Sequence, residues 1–313
     1  MLSRRNVRIK VMQVLYAKNR DQETTTNVKA AVQYYRRMVD DSFKLYLLNL
    51  LAFMRVAEYA RQDKIRKDGK LRPTEADQEF SAKLANNEAT QSLAKNFALT
   101  NAHGRYRLGQ HLDADLIRKL YIGFSKTEEY QLYLKQESNT EDHCEILLEL
   151  YRFLINNETF VSMMEDQFPL WMDDKSLVVG AMKKTIKGLP VEEDFLEAYE
   201  PQDETITEFG QELLEKVVEV DEELLGIIEP NLKNWDAERV AILDMIILKM
   251  AIAEFLYFPS IPTKVTLNEF VELAKLYSTD KSKDFVNGVL DRLLKQLTEQ
   301  GLVQKKGRGL KDE

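Results

Sequence analysis

The sequence predicts an all-α protein, and three observations support that prediction. Apolar residues recur at intervals of three to four along most of the 313 residues, which is the period of an amphipathic helix. Glycine and proline are scarce, at 12 and 7 residues, so helices have few interruptions. No segment shows the strict alternation of a half-buried strand. A hydrophobic content of 44% is ample for a core, and the length allows one large or two ordinary domains.

The first helix is predicted over residues 3–20, with Ser3 as its N-cap. Its apolar stripe consists of Val7, Val11, Val14 and Leu15. Three arginines occupy the opening turns: Arg4, Arg5 and Arg8. The positive end of the helix macrodipole disfavours cations there by about 0.3–1 kcal/mol per charge. Two interpretations are open, because the arginines either bind a polyanion such as RNA or form an ordinary solvated surface.

Two more helices are predicted within residues 265–294. Thr266 and Glu269 have the spacing of a capping box, flanked by Val265 and Phe270 as a hydrophobic staple, so we expect a helix to start here. After a polar break, the second helix has an apolar stripe of Phe285, Val286, Val289, Leu290, Leu293 and Leu294. Gly288 lies inside it at a cost of about 1 kcal/mol relative to alanine. This glycine indicates either a crowded helix crossing or a ligand backbone close by.

These segments resemble the NusB transcription antitermination factors. The resemblance rests on LNEFVELAK and FVNGVLD, on a preceding helix with Trp235, Arg239, Ala251 and Glu254, and on the arginine-rich first helix. It lapses at about residue 21 and resumes near 190 with VEEDFLEAY, ITEFGQELLEKVV and LLGIIEPNL. The resemblance therefore implies NusB-like helical bundles formed by residues 1–20 and 190–300. Residues 21–189 are then a helical insertion that forms an additional subdomain, and residues 301–313 a disordered tail.

The function implied by the resemblance is transcription antitermination. Such a factor binds the single-stranded boxA element of ribosomal RNA leaders together with the NusE ribosomal protein, and acts in the RNA polymerase elongation complex. The implied RNA-binding residues are Arg4, Arg5, Arg8, Tyr277, Lys281, Lys283, Phe285 and Asn287. Cations suit phosphates, aromatic rings suit stacking on unpaired bases, and an amide suits a base edge or a backbone bond.

Several of these residues have a structural alternative. Phe285 begins an apolar stripe, and Tyr277 ends a helix, so each is also a candidate core residue. Lys281 departs from the family, because some members carry an acid in that turn.

Asp244 is our candidate for contact with NusE. It stands among apolar neighbours, so it needs a partner if it is buried; the alternative is that it is exposed or bonded internally.

The charge distribution supports an adaptor with two faces. Residues 191–230 contain 15 acidic residues and one basic residue, Lys216, whereas the net charge of the whole chain is −8. The rest of the chain is therefore basic, which suits RNA on one side and a basic protein on another. The same glutamates are equally consistent with ordinary solvent faces of helices.

The insertion is predicted to be helical. A long apolar helix includes Tyr34, Met38, Phe43, Tyr46, Leu47, Leu50 and Leu51. The segment from Arg61 to Thr74 is predicted to be an exposed loop, and residues 101–109 are predicted to interrupt the helices. Further helices are predicted at residues 141–157, 158–168 and 176–187. The loop cations either extend an RNA surface or are simply solvated: Lys64, Arg66, Lys67, Lys70 and Arg72.

The sequence offers no support for an enzyme or a membrane protein. It has no apolar segment of about 20 residues and no secretion signal, so we expect a cytoplasmic protein. Cys144 lies at helical spacing from apolar residues and is interpreted as a small core residue. The three histidines, His103, His111 and His143, lack metal-ligand spacing, and no metal or cofactor is predicted. RNA cytosine methyltransferases carry a NusB-like domain, but their glycine-rich loop and catalytic cysteine motif are absent. The alternative function is a helical protein–protein adaptor without specific RNA binding.

Overall fold

The computed structural model describes residues 1–20, 27–232, 240–279 and 281–306. Trp235, Arg239 and residues 307–313 of the expected tail lie outside these ranges. In the first part of the chain the helices are α1 (Arg4–Arg20), α2 (Val28–Asp68), α3 (Glu75–Glu79), α4 (Lys83–Asn86), α5 (Glu88–Lys95), α6 (Phe97–Arg105), α7 (Ala114–Phe124), α8 (Glu128–Lys135), α9 (Thr140–Asn156), α10 (Glu158–Gln167) and α11 (Trp171–Lys187). They are followed by α12 (Asp203–Thr205), a π-helix (Ile206–Gln211), α13 (Glu212–Glu219), α14 (Asp221–Ile228), α15 (Ile242–Tyr257), α16 (Thr263–Tyr277) and α17 (Ser282–Glu299).

The all-α prediction is confirmed, since no strand occurs in the residues that the structure describes. Within the same residues no helix is long and apolar enough to cross a membrane. The chain divides into two compact units, with one boundary inside α2, after Val39, and another after Glu200. The central unit contains Asp40–Glu200 together with Met1, and the terminal unit contains Leu2–Val39 and Pro201–Glu313.

The terminal unit is built around α1, α15, α16 and α17. Ser3 caps α1 as predicted, because its hydroxyl accepts from the Asn6 N–H at 3.4 Å and Asn6 Oδ1 accepts from the Ser3 N–H at 3.0 Å. The predicted stripe is buried, with Val7, Val11 and Val14 inaccessible to solvent. Helix α15 is apolar on nearly all sides and runs through this core, so its neighbours pack against it from several directions.

The predicted capping box at Thr266 and Glu269 is wrong. Helix α16 starts three residues earlier, at Thr263, with Pro262 in the capping position. Thr266 lies inside the helix, fully buried, and its hydroxyl donates to Glu254 Oε1 at 2.7 Å. Glu269 accepts from Arg5 instead of from the backbone. The two residues have the spacing of a cap, but tertiary contacts use both side chains.

Gly288 does not mark a crowded helix crossing. A Cβ built at this position meets no atom within 4 Å, so the packing explanation for this glycine is wrong, and the ligand explanation stays a prediction. Crowding occurs at Gly210 in the π-helix, where a Cβ would overlap Tyr35 Oη and Val7 Cγ1. Tyr35 and Val7 are themselves inaccessible to solvent, so neither can move outward without disturbing the core.

Residues 303–306, which we expected to belong to a disordered tail, lie against the end of α15. The Lys305 ammonium donates to the carbonyls of Glu254 and Phe258, both at 2.9 Å, and the Lys306 N–H donates to the carbonyl of Pro259 at 2.8 Å. Burial lowers the pKa of Lys305 to about 8. Lys305 thus adds a second hydrogen bond to each of two carbonyls at the end of α15, which also accept from the Phe258 and Ile261 N–H groups.

The central unit has its own core, formed by α2 and the helices that follow it. The helices predicted at 141–157 and 158–168 are confirmed as α9 and α10, and α11 begins five residues before the expected start. The predicted loop from Arg61 to Thr74 is wrong over its first half, because α2 continues to Asp68. Charged residues extend the helix through ion pairs one turn apart, as between Lys64 and Asp68 at 2.8 Å.

The cations of this segment are mostly paired within the protein. Arg66 bonds Asp63 at 2.7 Å, and Lys70 bonds the buried Asp77 at 2.7 Å. The hydrogen bond from Lys70 is the largest of several that hold the pKa of Asp77 far below its usual value. Cys144 is partly buried as predicted, and burial raises the pKa of its thiol.

Candidate nucleic-acid interface

A buried ion pair joins the first helix to α15. Arg8 Nε donates to Glu254 Oε2 at 2.8 Å and Arg8 Nη2 donates to Glu254 Oε1 at 2.7 Å. The two side chains are 3% and 0% exposed. Glu254 accepts a third hydrogen bond from Thr266, so its carboxylate is well compensated for the water it lost. The Arg8 guanidinium also lies over the ring of Phe209, 4.9 Å from its centroid.

Arg5 forms the second contact, at the edge of the same network. Its Nε and Nη2 donate to the two oxygens of Glu269 at 2.8 and 2.7 Å, a bidentate pair in which Arg5 is 51% exposed. The hydrogen bond from Arg5 lowers the pKa of Glu269, and the same bond raises the pKa of Arg5. Arg8 Nη1 stands 3.8 Å from Glu269 as well, so this carboxylate links both arginines.

Arg4 is the most loosely held of the three. It pairs with Glu204 at 3.1 Å, and the two side chains are 42% and 74% exposed. Each arginine in the first turns of α1 therefore has a carboxylate partner that offsets its repulsion from the macrodipole. The position of these arginines in the helix does not by itself require an anionic ligand. Arg4 and Arg5 still present much of their guanidinium surface to solvent, whereas Arg8 does not.

An open cavity of about 340 Å³ lies beside these arginines. Its lining comes from the start of α1, the turn between α15 and α16, and the first half of α16: Ser3, Arg4, Arg5, Arg8, Ser260, Ile261, Pro262, Val265 and Glu269. Val265 is 44% exposed. The cavity therefore combines two accessible cations with an apolar wall, which suits a phosphate with part of its attached group.

The turn between α16 and α17 carries the second basic group. Lys281 and Lys283 are exposed at the start of α17, and Asp280 between Thr279 and Lys281 lies outside the described residues. Tyr277 and Phe285 are half-buried on either side of the turn, so part of each ring is accessible to solvent and part packs against the protein. Asn287 is also half-buried, and its amide donates to Asp291 at 3.3 Å.

Asp244 on α15 is hydrogen-bonded to the turn between α16 and α17 through Ser282. Its Oδ2 accepts from the Ser282 hydroxyl at 2.7 Å, and the hydroxyls of Ser278 and Thr279 lie 2.9 and 2.8 Å from that of Ser282. Asp244 is 5% exposed, and its Oδ1 is buried with no hydrogen-bond partner among the described residues. The structure thus places Asp244 under the turn and away from the surface.

Comparison with known proteins identifies the family. The model of the NusB family matches residues 177–295. The transcription antitermination protein NusB of Salinibacter ruber is 41% identical over 109 residues, which is 35% of this chain and 68% of that protein. The chain belongs to the NusB family.

Two further relatives agree with this assignment. The NusB protein of Chloroherpeton thalassium is 37% identical over 41% of the chain, and that of Finegoldia magna is 44% identical over 28% of the chain. These matches span 58% and 65% of the two relatives, less than two thirds of their length. No solved structure gives a significant match. The NusB-family proteins named here are transcription antitermination factors by their descriptions.

The NusB-family match covers only part of the candidate interface. It includes the turn between α16 and α17 and all of α15, whereas α1 and its arginines precede it. The structure nevertheless brings α1 and α16 together in the terminal unit through Arg5 and Glu269. Glu269 lies eight residues before Tyr277, so the arginines and the turn are about 12 Å apart along α16 at 1.5 Å per residue.

Sequence reasoning missed the two carboxylates that organise this region, Glu254 and Glu269. Glu254 carried a detectable signal, because it stands between Ala253 and Phe255 in a run of mostly apolar residues. An acid at such a position must be buried and must have a partner. No comparable signal exists for Glu269, whose spacing from Thr266 indicated a cap.

Proposed function

We propose that this protein is a transcription antitermination factor that binds single-stranded boxA-type RNA from ribosomal RNA leaders together with the NusE ribosomal protein. The pair acts in the RNA polymerase elongation complex, in the cytoplasm. Membership of the NusB family supports antitermination. The observation that carries the RNA proposal is two basic groups in the terminal unit, Arg4 and Arg5 at the start of α1 and Lys281 and Lys283 at the α16–α17 turn; Arg5 contacts α16 through Glu269.

The RNA runs along this side of the terminal unit in the proposed complex. Phosphates lie near the exposed guanidinium groups and the two lysines, because each neutralised phosphate releases condensed counterions. Unpaired bases stack on the exposed parts of Tyr277 and Phe285, with Asn287 available to a base edge or backbone. Arg8 contributes indirectly, since its buried pair with Glu254 fixes the helix that carries Arg4 and Arg5.

The NusE contact involves the acidic part of the terminal unit in this proposal. Residues 201–230 include α12, α13 and α14, whose first turns are acidic. A basic ribosomal protein is attracted to such a surface. Asp244 supports this complex by holding the α16–α17 turn through Ser282, because its carboxylate is almost fully buried.

Residues 21–189 are proposed to be an insertion that modifies RNA binding without creating it. The NusB-family match reaches only residues 177–189 of this range, at its C-terminal end. Its cations at Lys64, Arg66 and Lys70 already have acidic partners, so they add at most a salt-sensitive increment that is independent of sequence.

The experiment is a fluorescence anisotropy titration of the full chain with a boxA-like RNA and with a scrambled strand, each with and without NusE. We expect the boxA-like strand to bind more tightly, and NusE to increase that preference. Replacing Arg4 and Arg5 by Ala, or Lys281 and Lys283 by Ala, should weaken binding. The slope of log affinity against log salt should fall by about 0.7 per lost phosphate contact.

The matched control replaces Lys29 and Lys295 by Ala, because both are exposed and lie outside the proposed path. This variant should retain the wild-type slope, and circular dichroism should show that all variants are folded. Equal affinity for the two strands, combined with normal NusE binding, would instead support the protein–protein adaptor.

A further inference from the structure

The central unit contains an open cavity of about 520 Å³ whose lining includes two arginines. The cavity lies between α2 and the segment from α5 to the 3-10 helix Leu108–His111, and all its lining residues belong to that unit. Arg55 projects from α2 and Arg107 from the turn after α6. A volume of this size lies in the range of about 300–1,000 Å³ that is typical of small-molecule sites.

Neither arginine has an internal partner. No hydrogen bond or ion pair is formed by the Arg55 or Arg107 side chain with any residue that the structure describes, although Arg55 is half-buried. Glu58 also lines the cavity, but its carboxylate stands 3.8 Å from Arg61, which offsets its charge. Arg107 is exposed and Arg55 is half-buried, so the lining presents two guanidinium groups without acidic partners among the described residues, beside one carboxylate that already stands near Arg61.

Two backbone positions beside these cations are unusual. Arg107 has a φ of +53°, a left-handed conformation that residues with a Cβ rarely adopt and that glycine adopts readily. A Cβ on Gly109 would come within 3.0 Å of Arg55 Nη2, so the absence of a side chain there leaves room for the Arg55 guanidinium. Arginine therefore stands where the backbone favours glycine, and glycine stands where the guanidinium needs space.

A buried histidine completes the lining. His103 is 9% exposed, and its Nε2 has no hydrogen-bond partner among the described residues. Burial lowers the pKa of His103 to about 4, the carbonyl of Leu47 opposes that shift, and the charge of Arg55 adds to it. The imidazole is therefore neutral at neutral pH. Its Nε2 is an acceptor for an N–H or O–H group.

We propose that this cavity binds an organic monophosphate of about nucleotide size. The phosphate lies on Arg55 and Arg107, and the remainder of the ligand lies against Leu51 and Met54, which form an apolar floor. A phosphate monoester carries close to two negative charges at neutral pH, which matches two unpaired guanidinium groups better than a carboxylate does. The ligand is either a free nucleotide or the 5′-phosphorylated end of an RNA.

The test is a titration of the full chain with AMP, followed through the imidazole resonances of His103 by NMR. The chain has three histidines, so the His103 signal can be assigned by a His103→Gln variant. We expect a saturable shift with AMP and none with adenosine, which lacks the phosphate. Arg107→Gly should remove one cation while relieving the left-handed backbone, so this variant should fold normally and lose about tenfold or more in affinity.

Arg55→Gln should weaken binding in the same way. Arg118→Gln provides a matched control, because Arg118 is exposed in the same unit but does not line the cavity.

A 5′-phosphorylated RNA strand in a parallel titration identifies the source of the phosphate. Binding by that strand alone assigns the site to RNA ends. If AMP and the strand both leave His103 unchanged, or bind wild type and Arg107→Gly equally, the proposal is overturned. The outcome is independent of boxA binding, because the Arg4 and Arg5 variants leave this cavity intact.

Discussion

Arg8 was predicted to contact RNA, but its side chain is buried in a structural ion pair with Glu254. The sequence places it with Arg4 and Arg5 at the start of α1, but it also stands one position after Val7, at the edge of the apolar stripe. At that position the guanidinium is buried against α15, where Glu254 pairs with it. Burying two charges is favourable only when geometry and hydrogen bonding are good, and here both requirements are met.

This arrangement predicts strong coupling between the two residues. Arg8→Met should leave Glu254 buried without its cation and lower the free energy of unfolding by about 3–5 kcal/mol. Changing both residues to Met should recover most of that loss, because an apolar pair of similar volume has no charge to desolvate. Urea unfolding of the wild type, both single variants and the double variant measures the coupling.

Arg5→Met is the matched control for this cycle, because the Arg5 pair with Glu269 is half exposed and should contribute no more than about 1 kcal/mol. Strictly additive effects of the Arg8 and Glu254 substitutions would show that the pair does not act as a unit.

The π-helix Ile206–Gln211 packs closely against α1 and α2 at Gly210. Gly210 allows it to approach α1 and α2 so closely that a Cβ would overlap Tyr35 and Val7. The Tyr35 hydroxyl donates to the carbonyl of Ile206 at 3.0 Å, which ties α2 to the same turn. A π-helix is an uncommon distortion, and here it accompanies a close helix contact.

Two glycine-to-alanine substitutions should therefore have opposite effects. Gly210→Ala should reduce the free energy of unfolding by about 1–3 kcal/mol through overpacking, despite the better helix propensity of alanine. Gly288→Ala should raise it by up to about 1 kcal/mol, because its surroundings are open. Both values come from urea unfolding at one temperature. A stabilised Gly210→Ala, or a destabilised Gly288→Ala, would contradict the packing described here. Weaker RNA binding by a stable Gly288→Ala would place an RNA backbone beside α17.

The elements themselves were largely predictable, whereas their ends and partners were not. Helix α1 with its Ser3 cap, and α9 and α10, follow from local periodicity and capping chemistry. The start of α16 and the end of α2 were misplaced, because Thr266 and the charged residues after Arg61 make contacts that propensity does not include. The carboxylate partners of Arg5 and Arg8 lie more than 240 positions away in sequence. A single sequence carries little information on pairings of that range.

At the scale of the whole molecule, both ends of the chain form one compact unit and the middle forms another. The NusB-family match begins at residue 177 and therefore omits α1, although α1 lies in the same unit as α15 and α16. The buried apolar stripe of α1 packs in the same unit as α15, and the Arg8–Glu254 pair links these two helices. The central unit contributes a separate cavity with its own unpaired arginines, so the two units have different proposed ligands.

The central claim is that RNA recognition belongs to the terminal unit, along α16 from Arg4 and Arg5 to the α16–α17 turn. The most direct measurement is photo-crosslinking of the full chain to a boxA-like RNA that contains 4-thiouridine, followed by mass spectrometry of the crosslinked peptides. A scrambled strand serves as competitor. We expect adducts in peptides from residues 1–20 and 263–290 that resist the competitor. Adducts confined to residues 40–200, with none in α1 or near the turn, would contradict the account.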